Sequence, residues 1–197
     1  MPHQLNWQEI CQMIPKRKAD AQKGDFGRLL CITGSRNMPG ACLLSTQAAL
    51  RGGAGLVTVA TAPENPMRLA AAAPEAMWLP LETDEAGFLR SSDQNRKTLE
   101  KQLSRANAVL LGCGLGVTEE TRRLVHWVLE QAVCPVVLDA DGLNCAVSCI
   151  ELSRRTGKDW ILTPHPGEMA RLTGHSIPQI QENRVETATQ FAAAYPV

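Results

Sequence analysis

Thr163-Pro-His-Pro-Gly-Glu168 carries the densest chemistry in the chain. Each proline bars the residue before it from helical geometry, so Thr163 and His165 are expected to be extended. Pro166 suits a first helical position, which puts His165 at the cap and lets Glu168 reach back to a free amide. The expected result is a stiff corner between an apolar run and a helix, with an imidazole held beside backbone N–H groups. Such a corner suits a phosphate or another polar ligand.

Three other loops carry similar residue types. Asp139-Ala-Asp-Gly-Leu-Asn144 follows an apolar run directly. Two carboxylates and an amide there suit hydroxyl or metal-water contacts, and Asp141 serving as a plain helix cap is the alternative. Gly112-Cys-Gly-Leu-Gly116 places three glycines in five residues ahead of Thr118 and Glu119. That spacing lets a ligand touch the backbone closely. Gly34-Ser-Arg-Asn-Met-Pro-Gly40 leads into Ala41 and fits neither Gly-x-Gly-x-x-Gly nor the phosphate loop with Lys after its second glycine; it reads equally as a tight turn. A lone histidine is more often structural, but three neighbouring polar loops make His165 a candidate ligand contact. By contrast, Arg51-Gly-Gly-Ala-Gly55 lies between helix and strand and reads as a cap and turn. His126 and Trp127 read as packing residues, and His3 and His175 have no arguable partner.

The elements that must position these loops follow from the apolar runs. Strands are expected at 29–32, 56–60, 76–79, 108–111, 135–138 and 160–162. Helical patterns fall at 41–50, 66–73, 93–103, 119–131 and 143–152, with a helical tail from 180 whose closing Tyr-Pro-Val reads as the lead into another strand. Continuously apolar strands separated by helices predict one open, mostly parallel α/β sheet covered on both faces. The four polar loops then leave strand C-termini, where such sheets bind ligands. Ahead of the sheet, Asn6 and Glu9 have capping-box spacing, and Pro15 closes that short helix. Residues 1–22 form an N-terminal helix and linker, and 23–197 form the domain. The polar stretch 81–92 reads as a surface loop.

Composition narrows the function. The 197 residues are 44% hydrophobic and carry 20 basic against 20 acidic side chains. That content supports one substantial core, and the balance offers no electrostatic reason to expect nucleic acid or an anionic membrane as partner. No run approaches the roughly 18 apolar residues needed to span a bilayer, and no secretory signal is visible. Seven cysteines without a Cys-x-x-Cys pair read as buried thiols in a reducing cytoplasm, and no metal ligand set emerges.

Taken in order, the motifs resemble a known family. Lys23-Gly-Asp-Phe-Gly27, Gly40-Ala41, Arg51 to Thr58, the Gly112 and Asp139 loops and Leu162 to Glu168 are similar to those of the ADP-dependent NAD(P)H-hydrate dehydratases, from about residue 5 onward. The resemblance implies a ribokinase-like three-layer αβα sandwich, cytoplasmic in bacteria and often a homotetramer. It implies a lyase that returns the damaged cofactors NADHX and NADPHX to NADH and NADPH, coupled to cleavage of ADP or ATP with Mg2+. An NAD(P)H-hydrate epimerase, often fused in this family, is implied as a functional partner. Ala41, Gly114 and His165 would contact the hydrated nicotinamide nucleotide; Gly116, Asp141, Asn144 and Glu168 would line the same cleft.

Two departures are mild: Gln22 stands where histidine is usual, and Cys113 where proline is common. A third is larger. The family's Lys-Gly loop and Gly-x-Gly-Asp motif, which supply the phosphate cradle and the catalytic aspartate, are expected beyond Val197. The chain is therefore expected to be a fragment lacking its last strands and helices, poorly soluble or inactive alone. The alternatives are a non-catalytic nucleotide-binding remnant and a thiamine-precursor kinase of the same fold.

Overall fold

The computed structural model describes residues 5–14, 16–156 and 159–197. Among these, six strands form one all-parallel sheet: β1 (Arg28–Ile32), β2 (Leu56–Thr61), β3 (Met77–Pro80), β4 (Ala108–Leu111), β5 (Val136–Leu138) and β6 (Trp160–Leu162). The expected strands all form, and every pairing is parallel where a mixed sheet was allowed. Strand order is β3-β2-β1-β4-β5-β6. The chain works outward from β1 to one edge, then from β4 to the other. Strand order therefore switches between β1 and β4, and the loops leaving their C-termini diverge there.

Helices connect the strands: α1 (Trp7–Met13), α2 (Pro39–Arg51), α3 (Asn65–Leu69), α4 (Asp93–Leu103), α5 (Glu119–Gln131), α6 (Asp141–Ala146), α7 (Ser153–Thr156), α8 (Pro166–Thr173), α9 (Ile177–Glu182) and α10 (Arg184–Ala194). The alternation along β1 divides the core. Leu30 and Ile32 join one cluster with Leu99, Leu111, Leu124, Val128, Leu138 and Trp160, whereas Cys31 joins another with Cys42, Val57, Val59 and Leu69. Successive side chains on a strand point to opposite faces, so each face has its own helical cover. Burying each of these leucines contributes about 2 kcal/mol. The edge strand β6 leaves Ile161 54% exposed.

Helix boundaries depart from the expected ones where periodicity alone cannot show a break. The 143–152 pattern is α6 followed by a 3-10 segment, Val147–Leu152, kinked at Cys149 where φ is −132°. The 66–73 pattern divides into α3 and a 3-10 turn, Ala70–Ala72. The tail splits at Asn183, and the Val197 amide donates to the Tyr195 carbonyl. The Asn6 capping box forms as expected; Pro15 and His3 lie outside the described residues. His126 is half exposed beside Glu130 and packs little, whereas Trp127 lies against the core beneath Arg96. Stretch 81–92 is no plain surface loop: Leu81 and Leu89 are fully buried, and Thr83 bridges to Leu89.

Candidate functional site

The four polar loops meet at the C-terminal end of the sheet, and backbone hydrogen bonds fix their spacing. From the β1 loop, the Gly34 and Ser35 amides donate to the Cys113 and Gly114 carbonyls of the β4 loop at 2.8 and 2.7 Å. A Cβ on Gly114 would stand 2.7 Å from that of Ala41, so these two candidates face each other at the switch point. Ala41 lies in the first turn of α2, whose amides begin behind Pro39.

Close backbone approach joins the β4 and β5 loops. Gly112 has φ of +131°, and a Cβ there would fall 2.0 Å from the Asp139 carbonyl oxygen, so only glycine fits. Gly116 sits over Phe88, whose ring a Cβ would meet at 2.2 Å, and its amide donates to Asp141 Oδ2 at 2.8 Å. Asp141 therefore opens α6 and braces the glycine loop at the same time. Between the strand and this helix, Ala140 holds φ of +51° and ψ of −119°. For a residue with a Cβ this is strained backbone, of the kind that costs about 1–3 kcal/mol.

On α6, Asn144 Oδ1 accepts from Arg171 Nη1 of α8 at 2.9 Å, so the amide is already committed to an arginine. The β6 corner forms as expected: His165 is the N-cap of α8, Pro166 follows at the first position, and Glu168 returns to the His165 amide at 2.9 Å. One part of the expectation changes. The Gly167 amide is not left open for a ligand, because His165 Nδ1 accepts it at 3.0 Å. His165 Nε2 lies 3.2 Å from Glu168 Oε1, and Glu168 is buried. With Nδ1 engaged inside the corner and Nε2 close to the buried Glu168, the exposed imidazole presents its ring face outward.

The glycine loop and the His165 corner stand two strand spacings apart, about 10 Å. The structure thus joins Ala41 to Gly114 and Gly116 to Asp141, and ties Asn144 to α8 rather than to the loops. Sequence reasoning missed Phe88 and Arg36. Arg36 pairs with Glu64 at 2.7 Å and donates to the Glu85 carbonyl, docking the 83–89 segment on the β1 loop. The available signal was Phe88-Leu89, an apolar pair in an otherwise polar stretch.

None of the seven cysteines forms a disulfide. Burial, then the neighbouring Asp139 carboxylate, pushes the Cys113 thiol up to about 12. Burial, with Cys42 and Cys113 nearby, does the same to Cys31. No group of three His, Cys, Asp or Glu side chains able to hold a metal ion occurs among the described residues, and none of their helices is long and apolar enough to cross a membrane.

An all-parallel sheet with polar glycine loops at its switch point defines a doubly wound α/β protein, and the solved structures it resembles make that fold ribokinase-like. Solved structures agree: a ribokinase-like superfamily protein of Enterococcus faecalis superposes with a TM-score of 0.76 at 25% identity, covering 97% of this chain and 62% of that one. An ADP/ATP-dependent NAD(P)H-hydrate dehydratase from Bacillus subtilis, co-crystallized with ATP/Mg2+, superposes with a TM-score of 0.74 at 30% identity, over 96% and 62% of the two chains. Residues 29–197 match the Carb_kinase family, described as NAD(P)H-hydrate dehydratase, and the chain belongs to that family. It is 36% identical over 181 residues to the ADP-dependent (S)-NAD(P)H-hydrate dehydratase of Xanthomonas campestris, covering 92% of this chain and 59% of that protein. It is 38% identical over 191 residues to a bifunctional NAD(P)H-hydrate repair enzyme of Coxiella burnetii, covering 97% and 36%. The chain spans less than two thirds of the length of each of these relatives.

Proposed function

We propose that this chain supplies the hydrated-nicotinamide side of an ADP- or ATP-dependent NAD(P)H-hydrate dehydratase. The observation that carries the reading is the Ala41–Gly114 contact at the switch point, with the His165 corner on the same sheet end. The α2 N-terminus, exposed at Gly40, accepts the polar nucleotide, and Gly114, buried against Ala41 and Met38, supports that helix end from within. His165 offers its ring to that ligand, while Glu168, held from solvent, fixes the imidazole. Gly116, Asp141 and Asn144 line the cleft, Asp141 by bracing Gly116 and Asn144 by holding Arg171. Homologues named as dehydratases favour this reading over a thiamine-precursor kinase.

The chemistry fits such a binding surface. Phosphoryl transfer to the hydrate's hydroxyl turns a poor leaving group into phosphate; loss of phosphate and of the neighbouring proton restores the double bond. The demand on the protein is positioning and shielding from water. No Gly-x-Gly-Asp occurs in the 197 residues, and no metal cluster gathers among the described residues. The phosphate cradle, Mg2+ and the catalytic aspartate are therefore assigned to no residue of this chain. An NAD(P)H-hydrate epimerase is the expected functional partner, since it would supply the epimer consumed, and a cytoplasmic homo-oligomer is the expected working form.

Incubation of NADHX or NADPHX with ADP or ATP tests the reaction through the returning near-ultraviolet absorbance of the dihydronicotinamide. Nucleotide-dependent recovery is the expected result for a protein containing this chain and the phosphate cradle. Recovery that ignores nucleotide, or phosphorylation of a thiazole alcohol instead, would overturn the assignment.

A further inference from the structure

Asp139 belongs to none of the roles above, yet its carboxylate touches both the β4 loop and the β6 corner. Thr163 Oγ1 donates to its Oδ1 at 2.7 Å, a shorter contact than the 3.2 Å to the Leu138 carbonyl. Cys113 Sγ donates to its Oδ2 at 3.3 Å. Both carboxylate oxygens are thereby engaged, one by the β6 corner two residues before His165 and one by the glycine loop next to Gly114. Cys113 is also within hydrogen-bonding reach of Ser45 on α2, one turn from Ala41, whose carbonyl Ser45 in turn caps. We propose that Asp139 is a positioning residue, a two-sided strap that sets the glycine loop and the His165 corner at the separation a single hydrated nicotinamide nucleotide needs.

The physical case rests on geometry and on how few alternatives the loops have. The β6 corner meets the β5 strand end through Thr163 N to the Leu138 carbonyl, and the carboxylate adds a link across to the β4 loop. Charge-assisted hydrogen bonds are stronger and more directional than neutral ones, so a carboxylate holding two donors fixes their spacing better than a carbonyl would. The chain makes this link with a cysteine at 113. A residue without a side-chain donor at 113 would leave the link unmade, so the strap depends on this cysteine. Asp139 acts through Cys113 and Thr163, each of which holds one of its carboxylate oxygens.

The inference rests on the proposed binding of a hydrated nicotinamide nucleotide, and its test separates the two. Amide resonances of the ligand-free chain are compared among wild type, Asp139→Ala, Thr163→Val and Thr163→Ser, and NADPHX affinity is measured on the same proteins. Thr163→Val keeps shape but removes the donor; Thr163→Ser keeps the donor. A working strap moves the Gly114 and Gly116 resonances in Thr163→Val, although Thr163 contacts neither, and Thr163→Ser restores them. Affinity falls about tenfold in Asp139→Ala and in Thr163→Val, and the double variant is no worse than either. Unmoved Gly114 and Gly116 resonances in Thr163→Val, or losses that add in the double variant, would overturn the strap. Wild-type protein that binds no NADPHX would defeat the functional reading instead, and the resonance comparison would still decide the strap.

Discussion

At the scale of residues, His165 does two jobs that substitution can separate. Its Nδ1 caps the Gly167 amide, and its ring faces outward. Asparagine is among the best caps, so His165→Asn should keep stability within a few tenths of a kcal/mol while weakening NADPHX binding about tenfold. His165→Ala should lose binding and also about 1 kcal/mol of stability, lowering the melting temperature by about 2–4 °C. Equal binding by wild type and His165→Asn would confine the histidine to capping. Thiol chemistry offers a second check. With Cys113 pushed up to about 12, its thiolate is scarce at neutral pH, so alkylation there should be slow and accelerate as pH rises through the alkaline range. Cys11 is exposed and should label first. Mass mapping of labelled peptides at two pH values reads both. The corner's geometry was legible because two prolines and a capping spacing constrain six residues. His165 was legible as the cap; what stayed hidden was that its own ring takes up the Gly167 amide, since Nδ1 reaching Gly167 depends on a rotamer and not on spacing.

Elements show the same division. Strand positions were legible because strands buried on both faces must be apolar throughout, as Arg28–Ile32 and Leu56–Thr61 nearly are. The breaks after Ala146 and at Asn183 were not, because apolar periodicity runs on across them while the backbone kinks. Docking of the 83–89 segment was hidden too, since Phe88 finds Gly116 only through tertiary packing. The turn from β5 to α6 carries a specific cost. At φ of +51°, alanine is strained and a β-branched side chain more so. Ala140→Val should destabilise by about 2 kcal/mol and lower the melting temperature by about 4–8 °C, whereas Ala140→Gly should be neutral or stabilising. Calorimetric melting of the three proteins checks this, and an unaffected Ala140→Val would show the turn to be relaxed. In α5, Leu124 is fully buried against the main core, so Leu124→Ala should cost about 2–5 kcal/mol in denaturant unfolding.

At the scale of the whole molecule, one end of the sheet is set apart for binding. All-parallel order sends four polar loops to one end of the sheet, whereas Gly52 to Gly55 and the Lys23 turn gather at the other. The family match fixes the fold and the lineage, and the loops say where within that fold a hydrated nicotinamide nucleotide would rest. Titrating NADPHX into isotope-labelled chain and following its amide resonances tests this most directly. Saturable shifts confined to Ala41, 114–116, 141–144 and 165–168 are the expected result. Absence of saturation, or shifts collected around 52–55 at the opposite end of the sheet, would contradict it.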